Sequence, residues 1–274
     1  MSSALPTVSI VIPAYNEREK IGACVLAAVH QTVPANEIIV VDNKSTDDTA
    51  AIVKAIQLSY PDSPIIYFRQ DAEQGLVPTR NYGLDRAQGE VIGRIDADSV
   101  LEPNWVEEVQ KAFIDPTVSA STGPVNYYDM PLRRFGLKAD DTVRRFMIKL
   151  AREYHFVFGS NMALRASAWQ AIRSEVCRDV EDELHEDIDI SVHLHERGLK
   201  VKYVSTMVAG IAARRIDDSP RDYYYYVTRF ERTYKRHNVR NLGLRAPMWL
   251  FLALYPALKA VRKSQVRRAG NAQV

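Results

Sequence analysis

A mixed α/β fold, with a mostly parallel sheet flanked by helices, is the expectation from three features of this 274-residue sequence. Short β-branched apolar runs alternate with segments whose apolar residues recur at helical spacing. The runs are apolar almost throughout, the pattern of strands buried on both faces. Two of them end in aspartate, at the strand ends where open α/β sheets bind ligands.

The elements follow in order. Val8 to Ile12 reads as a buried strand stopped by Pro13. Asn16 is then placed to cap a helix that carries Ile21, Cys24, Val25 and Ala28 at helical spacing. Glu37 to Asp42 is the second strand, and Ser45 with Asp48 resembles a capping box for a helix with Ile52, Val53 and Ile56 on one face. Ile65 to Phe68 gives a third strand, Val77 to Arg86 a helix, and Glu90 to Asp96 a fourth strand. Pro103 opens a helix through Val106, Val109 and Phe113. Beyond it come a strand near Val118 to Tyr128 and a helix with Val143, Phe146, Met147, Leu150 and Tyr154 on one face. A strand at Asn161 to Leu164, a helix at Ser167 to Arg173, an acidic helix from about Asp187 to Arg197 and a strand at Lys200 to Val204 complete the body.

The net charge of +2 hides a division. Residues 229–274 carry eleven basic residues against one acid, whereas residues 1–228 sum to −8. The composition therefore places one unit over residues 1–219, with halves at 1–115 and 116–219, and a basic, aromatic helical segment over 220–274. Cys24 and Cys177 have neither disulfide-framework nor zinc-ligand spacing, so both are expected as small apolar side chains. Met1 to Pro6 lacks the pattern of a signal peptide, which points to the cytoplasm. Ala246 to Leu258 is uncharged but too short to span a bilayer and is interrupted by Pro256. With Trp249, Phe251 and Tyr255 bracketed by Arg and Lys, it suits either a peripheral helix on an anionic membrane or a core or dimer-forming helix. No recognised module frames these cations for nucleic acid. The run Tyr223 to Tyr226 cannot face one side of a helix, so its members must divide between packing and exposure.

Asp42 closes the second strand and Asp96 the fourth, with Asp98 two residues on. Carboxylates spaced as Asp96-Ala97-Asp98 on a strand-to-loop turn suit a hard cation such as Mn²⁺ or Mg²⁺. A turn whose acids cap a helix has the same spacing. Arg80 offers a planar guanidinium to a base or phosphate, or else to solvent on a helix surface. Pro13-Ala14-Tyr15-Asn16-Glu17, Val41-Asp42-Asn43, Arg80-Asn81-Tyr82-Gly83 and Asp96-Ala97-Asp98 occur in that order.

This series resembles the N-terminal half of the family 2 glycosyltransferases. The resemblance implies a GT-A fold with a Rossmann-like sheet and a nucleotide-sugar donor linked to UDP, GDP or dTDP. It implies donor contacts from Pro13, Tyr15, Glu17, Asp42, Arg80, Asp96, Ala97 and Asp98, with Asp98 and Asp96 on the metal. Asn43 departs from the family, which often has a second Asp there. Gly159 to Arg165 resembles the family's acceptor-side segment, giving Ser160 and Asn161, although Asn161 equally suits buried backbone groups. Glu186-Asp187 resembles its Glu-Asp motif, with Asp187 as general base and Glu186 as its positioning partner, within an acid-rich run that also suits a solvated helix start. His185, beside the proposed base, is a further candidate, whereas His193 and His195 read as structural.

The implied reaction is inverting, metal-dependent transfer of a sugar to an acceptor hydroxyl, with a lipid-linked acceptor suggested by the basic, aromatic end. Two other readings stay open: a nucleotidyltransferase of similar architecture, and a membrane-associated nucleotide-binding protein without catalysis.

Overall fold

The computed structural model describes residues 4–151, 154–179, 183–240 and 242–271, without the side chains of 242, 247 and 265–271. Met1 to Ser3 of the N-terminal segment, Glu181 and Asp182 of the acidic run, and the side chains of Arg267 and Arg268 in the basic end therefore lie outside the described residues.

The chain runs β1 (Val8–Ala14), α1 (Ile21–Val29), β2 (Glu37–Asp42), α2 (Thr49–Ser59), β3 (Ile65–Arg69), α3 (Leu76–Leu84) and β4 (Val91–Arg94). It continues through β5 (Val100–Leu101), α4 (Trp105–Ala112), β6 (Val118–Thr122), β7 (Val125–Tyr127), α5 (Arg133–Ala151), β8 (Met162–Arg165) and α6 (Ala166–Ile172). Last come α7 (Glu186–Glu196), β9 (Lys200–Tyr203), β10 (Ala209–Ile211), α8 (Arg214–Asp217), α9 (Pro220–Val227), α10 (Arg229–Arg236), a 3₁₀ turn (Leu242–Arg245) and α11 (Ala246–Asn271).

The main sheet has the order β3-β2-β1-β4-β8-β6-β9. It is parallel except for β8, which runs antiparallel to both β4 and β6. That reversal puts the loop before β8 beside the carboxyl ends of its neighbours, with Met162 opposite both Arg94 and Thr122. A smaller sheet, β5-β10-β7, stands beside the loop after β4.

Every residue of β1 and β2 is buried. Val8, Ile10 and Ile12 pack on one face with residues of α1, α2 and α4, while Val11 packs on the other with residues of α3, α6 and α7. Fully burying side chains of this kind contributes about 1.5–3 kcal/mol each, so the double-sided core fixes the register of the central strands. Ser9 is the polar member of that run, and its hydroxyl donates to Glu37 at 2.5 Å.

Several local expectations are corrected. Pro13 does not stop β1. The Ile95 amide bonds to the Val11 carbonyl and the β4 pairing ends at Val11, so the missing Pro13 N–H, on the same side, faces no further strand residue. Asn16 and Ser45 do not cap α1 and α2: the Asn16 carboxamide accepts from the Thr46 amide at 2.8 Å, and the Ser45 hydroxyl accepts from the Asn16 amide at 2.9 Å. The two are spent on tying the loop after β1 to the loop after β2, with Asn16 at φ +53°.

The expected single strand from Val118 to Tyr128 breaks at Gly123-Pro124 and sends β7 to the small sheet. A Cβ at Gly123 would collide with the Met207 carbonyl. In α5 the buried positions are Arg144, Met147 and Ala151, whereas Phe146 is exposed and Tyr154 lies past the helix. Arg144 turns inward because it pairs with Asp140 at 2.6 Å and stacks on the Phe158 ring.

Among the described residues no helix is long and apolar enough to cross a membrane. The C-terminal helices lie against the body. The Tyr255 hydroxyl donates to the Asp218 carbonyl at 2.6 Å, and Arg262 pairs with Asp129 and Asp217. Tyr223 is buried and stacks on Tyr255, while Tyr224 and Tyr225 face solvent, so the tyrosine run divides as its helical spacing requires. Trp249, Leu250, Leu254 and Val261 leave an apolar stripe of α11 exposed.

Candidate active site

The loop after β1 presents Tyr15, half exposed, and Glu17, while Pro13 is held inside β1. Asp42 is fully buried, accepting from the Ser45 amide at 2.9 Å and the Tyr67 hydroxyl at 2.6 Å. Asn43 is buried beside it and ties Gln70, Glu73 and Gly75 together, which accounts for an amide at that position.

Asp96 and Asp98 follow β4, with Ala97 buried between them. Burial raises the Asp98 carboxyl to about 6 although Arg214 pulls it down, and Asp96 and Glu17 add like charge. Arg214 spans the gap, with Nε 3.0 Å from Asp98 and its two terminal nitrogens 2.7 and 2.6 Å from the Glu17 oxygens. Beneath them Cys24 is buried, its thiol pushed well up by burial and then by Asp98 and Asp96. Three carboxylates converging at a partly desolvated strand end form an oxygen donor set with excess negative charge, so the residues present fit a hard divalent cation. Asp98 and Asp96 are the residues that would hold it.

Arg80 joins this cluster to the start of α7. Its Nη2 lies 2.6 Å from Asp96, and its Nη1 pairs with Glu186. Arg94, buried at the end of β4, reaches the same Glu186 oxygen at 2.7 Å. The Arg80 guanidinium thus joins Asp96 to a carboxylate 106 residues further along the chain than itself. The Arg94 Nε and Nη2, the Arg80 Nε and the second Glu186 oxygen are buried without a hydrogen-bond partner, a concentration of unsatisfied polarity that marks the cleft.

Asp187 is aimed by backbone: Oδ2 accepts from the Gly159 amide at 2.8 Å and Oδ1 from the Ile188 amide at 3.0 Å. A Cβ at Gly159 would meet the Arg94 Nη2 and crowd Asp187, so a larger residue here must move the arginine. Ser160 is half-buried at the rim. Asn161 is fully buried and takes the other of the two roles open to it in the sequence. Its amide donates to the Pro124 and Met207 carbonyls, and its oxygen accepts from the Trp105 indole.

His185 is packed against Tyr226 and Phe230, and burial lowers it to about 4, leaving a neutral imidazole. Its amide donates to the Thr233 hydroxyl, and Arg232 holds the Glu183 carbonyl, so α10 secures the approach to α7.

Two members of this constellation escape sequence reasoning. Arg94 left a signal, a single charge at the end of an otherwise apolar strand. Arg214 left none, because its role depends on β10 and α8 returning to the loop after β4.

The Glycosyl transferase family 2 model matches residues 9–178. Glycosyltransferase AglE of Haloferax volcanii is 37% identical over 109 residues, 39% of this chain and 35% of the relative. Chondroitin synthase of Escherichia coli is 38% identical over 103 residues, 38% of this chain and 15% of the synthase. The chain thus spans well under two thirds of these relatives. Among solved structures, the mannosyltransferase PcManGT from Pyrobaculum calidifontis, in complex with GDP-Man and Mn²⁺, superposes with a TM-score of 0.67 at 20% identity, covering 98% of this chain and 76% of that one. S. aureus TarS 1-349 in complex with UDP-GlcNAc gives 0.57 at 18% identity, covering 81% and 64%.

Proposed function

Because the chain belongs to glycosyl transferase family 2, we propose that it moves a sugar from a nucleotide-sugar donor to an acceptor hydroxyl with inversion. The observation that carries this reading is the Arg80 bridge, which couples the Asp96-Asp98 turn to the Glu186-Asp187 helix start. A donor seated at the strand ends would place its diphosphate toward Asp96 and Asp98 and its anomeric carbon toward α7. The structures with GDP-Man and UDP-GlcNAc support that class of donor.

A cation held by Asp98 and Asp96 would offset the charge that grows on the departing diphosphate. Arg80 and Arg94 hold Glu186, and that arrangement fixes the first turn of α7. Asp187, with both oxygens oriented by main-chain N–H groups, takes the proton of the attacking hydroxyl as general base. A single base with direct displacement inverts the anomeric centre. The exposed stripe of Trp249, Leu250 and Leu254 on α11, near Lys259 and Lys263, supports a lipid-linked acceptor presented at an anionic surface.

Calorimetric titration with UDP-, GDP- and dTDP-sugars in Mn²⁺ identifies the donor. Turnover is then measured for Asp187→Asn, with soluble and lipid-linked acceptors. Transfer should fall by about 10²- to 10⁴-fold with donor affinity unchanged. Full turnover in that variant removes the base assignment, and pyrophosphate release from nucleoside triphosphates would replace the glycosyl reading with nucleotidyl transfer.

A further inference from the structure

We propose that Asp189, His193 and His237 form a transition-metal site, separate from the Asp96-Asp98 turn, that pins α10 to α7. Asp189 and His193 stand one helical turn apart on α7, and His237 caps the end of α10. Their candidate ligand atoms all lie within 4.8 Å of one another. The Asp189 Oδ1 sits 2.7 Å from the His237 Nε2 and 3.8 Å from the His193 Nε2.

The hydrogen bonding around this trio calls for a cation. The Asp189 Oδ2 is occupied by the Cys177 amide at 2.8 Å, which orients the carboxylate. The His193 Nδ1 lies 3.1 Å from a Glu196 carboxylate oxygen, which engages that ring nitrogen and leaves Nε2 to face Asp189. That Nε2 is buried without a partner. A ring nitrogen without a hydrogen bond thus stands 3.8 Å from a carboxylate oxygen in a site where Asp189 is 1% exposed and His193 is 9% exposed. A divalent ion among the three would give the His193 Nε2 the partner it lacks.

Two imidazole nitrogens and one carboxylate oxygen suit zinc, whose tetrahedral bonds of about 2.1 Å set neighbouring ligand atoms roughly 3.4 Å apart. The Glu196–His193 contact is the outer carboxylate that commonly orients a metal-bound histidine. Asp189 follows Asp187 by two residues, so an ion here would hold the helix that carries the proposed base without touching the donor.

The test uses the full chain, stripped with chelator and titrated with Co²⁺ and then Zn²⁺. One Co²⁺ per chain should show the intense visible absorption of a tetrahedral site, over and above any ion held at the Asp96-Asp98 turn, and one equivalent of Zn²⁺ should abolish that absorption. His193→Gln and His237→Gln should each weaken Zn²⁺ by more than the about 10- to 100-fold cost of losing an outer-shell partner. Asp98→Asn should leave that affinity unchanged. The proposal is overturned if the unmodified chain gives no tetrahedral spectrum and no stoichiometric zinc. It is equally overturned if Zn²⁺ binding survives in both histidine variants or disappears in Asp98→Asn.

Discussion

Asp98→Asn measures the electrostatic load that the carboxylate cluster places on the fold. Burial, with Asp96 and Glu17 as like-charged neighbours, raises the Asp98 carboxyl from 3.8 to about 6 against the pull of Arg214. Its side chain is 16% exposed, so solvent screens little of this. Between those two values the folded chain binds the proton more tightly than the unfolded chain. The contribution to stability is therefore complete below pH 3.8 and is lost as pH rises through about 6. At 1.36 kcal/mol per pH unit, the ionised carboxylate costs the metal-free fold about 3 kcal/mol at pH 7.5. Asparagine keeps the shape without the charge, so the variant should melt roughly 6 °C higher in EDTA at pH 7.5. The gap should close as the buffer is taken toward pH 4.5, and Mn²⁺ should raise the melting point of the parent but not of the variant. Equal melting points at pH 7.5, or a gap that ignores pH, would refute the reasoning.

Two further outcomes bear on the cleft. Glu186→Gln leaves the buried Arg94 without a counter-charge, so urea denaturation should show a loss of about 3–5 kcal/mol, and an unchanged midpoint would show that Arg94 is neutralised elsewhere. Gly159→Ala displaces Arg94 and Asp187 while leaving the Asp96-Asp98 turn in place; kcat should fall by about 100-fold with donor affinity within a few-fold of the parent, and a loss confined to affinity would contradict this placement.

The sheet and its carboxyl-end acids were legible because they obey local rules. Glu37 to Asp42 is apolar over a strand's length and ends in a charge, and nothing elsewhere in the chain overrides it. Cap assignments failed where tertiary contact outbid local chemistry, as with Asn16 and Ser45, whose capping groups serve each other's loops. Helix faces failed for the same reason: a strictly apolar count cannot foresee that Arg144 enters the core with Asp140 while Phe146 stays out. At the site, each motif was visible on its own, but Arg80 as the link between two of them depends on α3 and α7 lying on the same face of the sheet. The histidine pair shows the limit most clearly, since His193 and His237 become neighbours only when α10 folds back over α7.

The family match ends at residue 178, eight residues before Glu186. The helix bearing the proposed base is held from both sides, Glu186 by Arg80 and Arg94 within the matched residues and the approach to α7 and Asp189 by Thr233, Arg232 and His237 from the C-terminal end. Anyone recombining this chain with a relative to change its acceptor therefore inherits a constraint on where to cut. A crossover at Ser219 would strand the helix among foreign neighbours, whereas one just upstream of α7 would transplant helix and scaffold together and would need a donor half that supplies arginines for Glu186 and carboxylates for Arg214.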